Sequence, residues 1–135
     1  MMKAFSQEGN YAGETTYLMS CSAETQAGKS YLYIGVDAYS KYIFHLGTFQ
    51  SFDDHTFHQA VNNLLNDKLF RKAPGQFTLI LGFGNDIIEQ IQQQVKLSGG
   101  SAIYDPKRVV NHAWPIIEKA ISQSSQLRLQ PALSA

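Results

Sequence analysis

Apolar and polar positions along the chain change period several times, and each change marks an element. Thr15–Cys21 is rich in β-branched and aromatic residues and reads as a strand. After the turn signal Ala27-Gly28-Lys29, Tyr31–Val36 (Tyr-Leu-Tyr-Ile-Gly-Val) reads as a second strand and Tyr42–Phe49 as a third. The short connection Asp37–Ser40 makes the third strand the antiparallel neighbour of the second. Phe57, Val61, Leu64, Leu65 and Leu69 then recur at helical spacing behind a cap at Ser51 or Asp53, and this helix ends before Ala73-Pro74-Gly75. Phe77–Leu81 is a short, continuously apolar strand of the kind buried on both faces, and it stops at Gly82-Phe83-Gly84-Asn85. With Asp86 as cap, Ile87, Ile88, Ile91, Val95 and Leu97 line one side of a second helix closed by Ser98-Gly99-Gly100. Ser101–Tyr104 reads as a short last strand. From Asp105-Pro106 onward, Val109, Val110, Trp114, Ile116, Ile117, Ala120 and Ile121 mark a third helix, kinked or restarted at Pro115.

Three strands, a helix, a buried strand, a helix, a strand and a helix make a mixed sheet with helices on its faces. A right-handed crossover after the third strand sets the buried strand parallel beside the first. The expected fold class is thus α/β, a five-stranded mixed sheet whose order of elements resembles the ribonuclease H-like fold. The carboxyl ends of the first and buried strands are expected side by side, in the crevice where such sheets place their chemistry. Residues 1–13 are polar and glycine-containing and read as a flexible lead-in, 14–122 as the single domain, and 123–135 as a frayed tail.

Composition narrows the function classes. The 135 residues are 44% hydrophobic and 16% charged, enough apolar material for one core and below the roughly 25% charge of an average soluble domain. Eleven basic and eleven acidic residues cancel, so no overall field draws the chain to nucleic acid or to a membrane surface, and binding to DNA needs a local patch. The single cysteine, Cys21, allows neither an internal disulfide nor a cysteine zinc cluster. With no apolar run long enough to span a bilayer and no signal-peptide pattern at the start, a cytoplasmic location without membrane attachment is expected.

Glu14-Thr15-Thr16-Tyr17-Leu18, followed by Gly28-Lys29-Ser30-Tyr31-Leu32-Tyr33-Ile34-Gly35-Val36-Asp37-Ala38-Tyr39-Ser40-Lys41-Tyr42-Ile43, resembles the opening of the retroviral-type integrase and bacterial transposase catalytic core. In that family an Asp-x-Thr-Tyr strand precedes Tyr-Leu, a few apolar residues, Asp, two residues, Ser and a basic residue. The likeness in element order extends from about Glu14 to Ile121. It implies phosphoryl transfer on DNA by two divalent cations, magnesium or manganese, held between three carboxylates.

By that resemblance the first acid falls on Glu14 and the second, which comes after the buried strand, falls on Phe83, whose ring binds no cation. A degenerate, catalytically inactive core is therefore expected, one that needs no cofactor and is retained for binding nucleic acid or a protein partner. The alternative is a metal-dependent nuclease or polynucleotidyl transferase using a shifted set, Glu14, Asp86 and Glu118. Asp86 also fits a helix cap, Glu118 a surface position, and Asp37 a turn residue bonding nearby amides. Lys107, Arg108 and Lys119, with His112, form the local basic cluster for nucleic acid, and otherwise a solvated face.

Further patterns have a chemical and a plain reading. His55 and His58, beside Asp53 and Asp54, have a spacing for a metal on one helix face, or are simply surface residues. Gly82-x-Gly84 has the place of a phosphate loop without its remaining signature, and Cys21 packs as a small hydrophobe. Tyr31, Tyr33, Tyr39, Tyr42, Phe44 and Phe49 alternate along the paired strands, so that an aromatic face is available for a homodimer or for cross-strand packing.

Overall fold

The computed structural model describes residues 11–26, 28–70, 76–122 and 130–131. The strands are β1 (Thr15–Thr25), β2 (Gly28–Asp37), β3 (Ile43–Phe49), β4 (Phe77–Leu81), β5 (Gly100–Tyr104) and a two-residue β6 (Gln130–Pro131). The helices are α1 (Asp54–Leu65), α2 (Ile88–Lys96) and α3 (Pro106–Ser122), with a 3₁₀ turn over Asn85–Ile87. Five strands lie in the order β3-β2-β1-β4-β5, antiparallel on the β3-β2-β1 side and parallel from β1 through β4 to β5. The protein is thus a mixed α/β fold, with the buried strand parallel beside the first.

Alternation along the strands builds two cores. Leu18, Tyr33, Leu79 and Leu81 pack with Phe57, Val61 and Leu64 of α1 and with Ile91 and Val95 of α2. On the opposite face, Tyr17, Met19, Cys21, Val36 and Ile80 pack with Val109, Ala113 and Ile117 of α3. Burial of β4 on both faces is why its sequence reads as a nearly continuous apolar run.

Local chemistry sets the helix ends. Asp53 caps α1 in a capping box: its carboxylate accepts from the Thr56 amide at 3.0 Å while the Asp53 amide donates to the Thr56 hydroxyl. The Thr56 amide, with help from Ser51, holds the Asp53 carboxyl below its ordinary range. Asp105 caps α3 through the Arg108 amide, and Pro106 takes the first helical position, where its missing N–H costs nothing. The helix runs unbroken through Pro115, whose ring is exposed. Asp86, expected as the cap of the second helix, lies within the 3₁₀ turn instead. That turn is entered by Gly84 at φ +81°, and neither it nor α2 has a side-chain cap.

Other expectations are corrected by tertiary pairing. β1 continues to Thr25, but β4 pairs only with Thr15–Leu18, so the carboxyl ends of the two strands are not level. Beyond that point β6 pairs with Cys21 and Ser22, so two residues of the expected tail belong to the sheet. The rest of that tail, residues 123–129 and 132–135, and residues 1–10 of the lead-in lie outside the described residues. Residues 11–13 are tied down: the Tyr11 hydroxyl donates to the Gln76 carbonyl and the Gly13 amide to Asp37.

Most of the aromatic stripe turns inward. A bulge between β2 and β3 inserts Leu46, and Gly47 at φ +132° carries the chain through it. This resets the alternation, so that Phe44, Leu46 and Phe49 all turn toward α1, beside Tyr31 and Tyr33. The Asn63 side chain of α1 donates to the Leu46 carbonyl at 2.7 Å and so blunts this edge of the sheet. Tyr39 and Tyr42, in the β2–β3 turn and just before β3, are half exposed.

Candidate functional site

The β1/β4 register decides where the three candidate carboxylates fall. Glu14 precedes β1 at the level where β4 begins, and its carbonyl accepts from the Thr78 amide at 2.8 Å. Asp86 lies beyond the carboxyl end of β4 and is exposed. The ladder between them amounts to roughly 15 Å of strand at about 3.3 Å per residue. α3 begins at the carboxyl end, where the Asp105 amide bonds the Leu81 carbonyl, and Glu118 lies exposed about 18 Å further along it at 1.5 Å per residue. Hard divalent cations need several oxygens converging within about 2.6 Å. Among the described residues, Glu14, Asp86 and Glu118 included, no group of three or more His, Cys, Asp or Glu side chains could hold a metal ion. The described residues therefore do not fit a two-cation site, and Glu14, Asp86 and Glu118 are not assembled into one.

Glu14 instead borders an open cleft of about 560 Å³ at the amino ends of β4 and β5, with Tyr11, Thr78, Lys96 and Ser101. Strand register is absent from the one-dimensional pattern, and no signal short of it brings Glu14 and Lys96 to one cleft.

Phe83 is wholly buried in the α1-side core. Its ring centroid lies 5.1 Å from Tyr33 and 5.1 Å from Phe57, and Tyr33 meets Phe57 edge-on at 5.8 Å. The Tyr33 hydroxyl is shared with the Thr56 hydroxyl at 2.8 Å, which anchors the amino end of α1 to the sheet. Burial pushes the Tyr33 phenol well above its ordinary range. The flanking glycines serve packing. A Cβ on Gly82 would lie 3.2 Å from both the Leu18 carbonyl and Val109, and one on Gly84 would lie 2.9 Å from Ile91. This accounts for Gly82-x-Gly84 without a phosphate.

Asp37 is 2% exposed, and its carboxylate accepts three bonds of 2.6 Å, from the Gly13 amide, the Ser40 amide and the Ser40 hydroxyl. The Asp and Ser of the family-like segment thus build the β2–β3 turn, as the turn reading expects. Lys41 closes it at φ +67°.

The basic cluster divides. Positions 108, 112, 115 and 119 repeat at helical spacing, so Arg108, His112 and Lys119 share one face of α3, and the His112 ring stacks on Tyr17 at 5.6 Å. Lys107 falls on the neighbouring stripe with Asn111 and Glu118. His55 and His58 separate too. His58 bonds Gln94 at 3.0 Å and Gln90 at 3.3 Å, bridging α1 to α2, while His55 faces the β3 side with Thr48 and Gln59. Cys21 is fully buried, which raises its thiol to about 12 and leaves it without thiolate chemistry near neutral pH.

Thr16, in the family-like Glu-Thr-Thr-Tyr, is fully buried with a hydroxyl that meets no partner among the described residues. Thr16→Val keeps the shape and removes the unpaired hydroxyl, and so is expected to raise unfolding stability by about 1 kcal/mol in urea titration. A loss of stability would show that this hydroxyl is engaged.

Among the described residues no helix is long and apolar enough to cross a membrane. Comparison of the chain with protein-family models, with curated proteins and with solved structures finds no match.

Proposed function

We propose that this chain is an integrase- or transposase-core-like domain of ribonuclease H-like arrangement that does not carry out strand transfer and binds nucleic acid or a protein partner in a DNA-integration setting, in the cytoplasm. The observation that carries this reading is Phe83. At the position where the resembled family holds its second acid, the chain builds an aromatic core around Tyr33 and Phe57. The strand order β3-β2-β1-β4-β5, with helices on both faces, supports the comparison of architecture. The Asp37–Ser40 turn supports the comparison of sequence. Nucleic acid is favoured as partner by Arg108, His112 and Lys119 on one face of α3.

The test is fluorescence anisotropy with a labelled DNA duplex across a salt series. Binding is expected at non-specific strength, with Kd on the order of 10⁻⁴ to 10⁻⁶ M. The double change Arg108→Ala, Lys119→Ala is expected to flatten the log–log salt slope by about 2, and Lys107→Ala to change it by less than about 1. Binding unaffected by the double change removes the α3 face from the proposal. Divalent-dependent nicking of the duplex by the purified chain overturns it.

A further inference from the structure

Phe83 and Asp86 follow the carboxyl end of β4; the concave surface at the amino end has a different chemistry. β4 and β5 run parallel with Thr78 level with Ser101, and the two hydroxyls lie 3.2 Å apart. No hydrophobic residue of β5 joins the core beneath α3, and here Ser101 is exposed and Thr78 half-buried. Glu14 is brought to the same level by its carbonyl, which accepts from the Thr78 amide at 2.8 Å. Tyr11 is held there by the bond from its hydroxyl to the Gln76 carbonyl. α2 ends at the exposed Lys96, and the turn into β5 passes through Gly99 at φ +91°. Together these residues line the cleft of about 560 Å³, a volume within the usual range of small-molecule sites.

The cleft is mixed in sign. One carboxylate, Glu14, and one ammonium, Lys96, line it with the two neighbouring hydroxyls, each able to give or take a hydrogen bond. A polyanion placed there meets the like charge of Glu14, and a polycation that of Lys96. An apolar molecule would strip water from both charges and offer nothing in return. A small molecule with one charge of each sign meets none of these penalties. We propose that this cleft binds a small zwitterion of the amino-acid class, its ammonium toward Glu14, its carboxylate toward Lys96, and the Thr78 and Ser101 hydroxyls beside them. Glu14 keeps the contact it already makes within the protein, because a carboxylate offers about four lone-pair sites. Both charges are in contact with solvent, so binding is expected to be weak, with Kd on the order of 1 mM, and to weaken with added salt. Such a site is separate from the nucleic-acid face of α3 and does not depend on it.

The test is a titration of the full chain, followed by backbone amide chemical shifts, with glycine, β-alanine, γ-aminobutyrate and ε-aminocaproate. These carry the same two charges at increasing separation, so the cleft itself selects the span. The best-fitting member is expected to give saturable shifts at Thr78, Gly99, Gly100 and Ser101. Its N-acetyl and carboxamide derivatives, each with one charge left, are expected to bind at least about tenfold more weakly. Lys96→Gln and Glu14→Gln, both outside the two cores, should each cost a similar factor while the melting temperature stays that of the parent. Absence of saturable shifts from every member up to about 100 mM overturns the site. Equal binding of the singly charged derivatives, or binding unchanged in both variants, overturns the zwitterion. A lower melting temperature in both variants with no probe bound shows an ion pair of Glu14 and Lys96 alone, and overturns the proposal as well.

Discussion

Phe83→Ala is expected to destabilise the protein by about 3–5 kcal/mol, the usual cost of emptying a buried aromatic position. The ring touches Tyr33 from β2 and Phe57 from α1, so its loss opens a cavity where the sheet, α1 and the β4–α2 loop meet. Native domains are stable by only about 5–15 kcal/mol, so one such change takes a large share. Phe83→Asp, which puts an acid where the resembled family has one, is expected to fare worse, because the carboxylate enters an aromatic core. Thermal melts monitored by circular dichroism check both. A Phe83→Asp chain that kept the parent's melting temperature and gained stability with manganese would show the position to be an open cation site, and the proposed function would fall with it.

Asp37→Ala is the second large effect, expected at about 2–4 kcal/mol. It removes three short charge-assisted bonds and leaves the Gly13 and Ser40 amides without their acceptor. At a few degrees of melting temperature per kcal/mol for a chain of this size, the midpoint should drop by roughly 10 °C. Asp37→Asn, which keeps an acceptor oxygen but no charge, should lose about half as much. Hydrogen exchange separates local from global effects: the Gly13 and Ser40 amides should lose protection in both variants before the α1-side core does. If Asp37→Ala melts within a degree or two of the parent, the carboxylate does not hold the hairpin to the segment before β1.

Element existence was legible because period reports burial. The alternation in Tyr31–Val36, the helical spacing from Phe57 to Leu64 and the apolar run Phe77–Leu81 each have one economical three-dimensional reading, and β1 to β5 and α1 to α3 all lie where those patterns stand, except that α1 ends at Leu65 and α2 at Lys96, which leaves Leu69 and Leu97 of the expected apolar faces exposed beyond them. The parallel placement of β4 beside β1 was legible too, from the handedness of the crossover. The candidate site was legible only in part. Asp37 has short-range chemistry, and its turn role could be read from the residues around it. Glu14, Asp86 and Glu118 required long-range register, which no local pattern encodes.

What the amino-acid order determined on its own is therefore the list of elements, their succession and the two-sided burial of β4, because these depend on neighbours a few residues away. The tertiary structure decided that β4 starts level with Glu14 rather than with the far end of β1, and that the bulge at Leu46 turns the aromatics inward. It also decided that residues 130–131 return to the sheet. Each of these is a matter of which distant backbone groups pair, and sliding one strand by a single residue exchanges its faces while leaving the one-dimensional pattern unchanged.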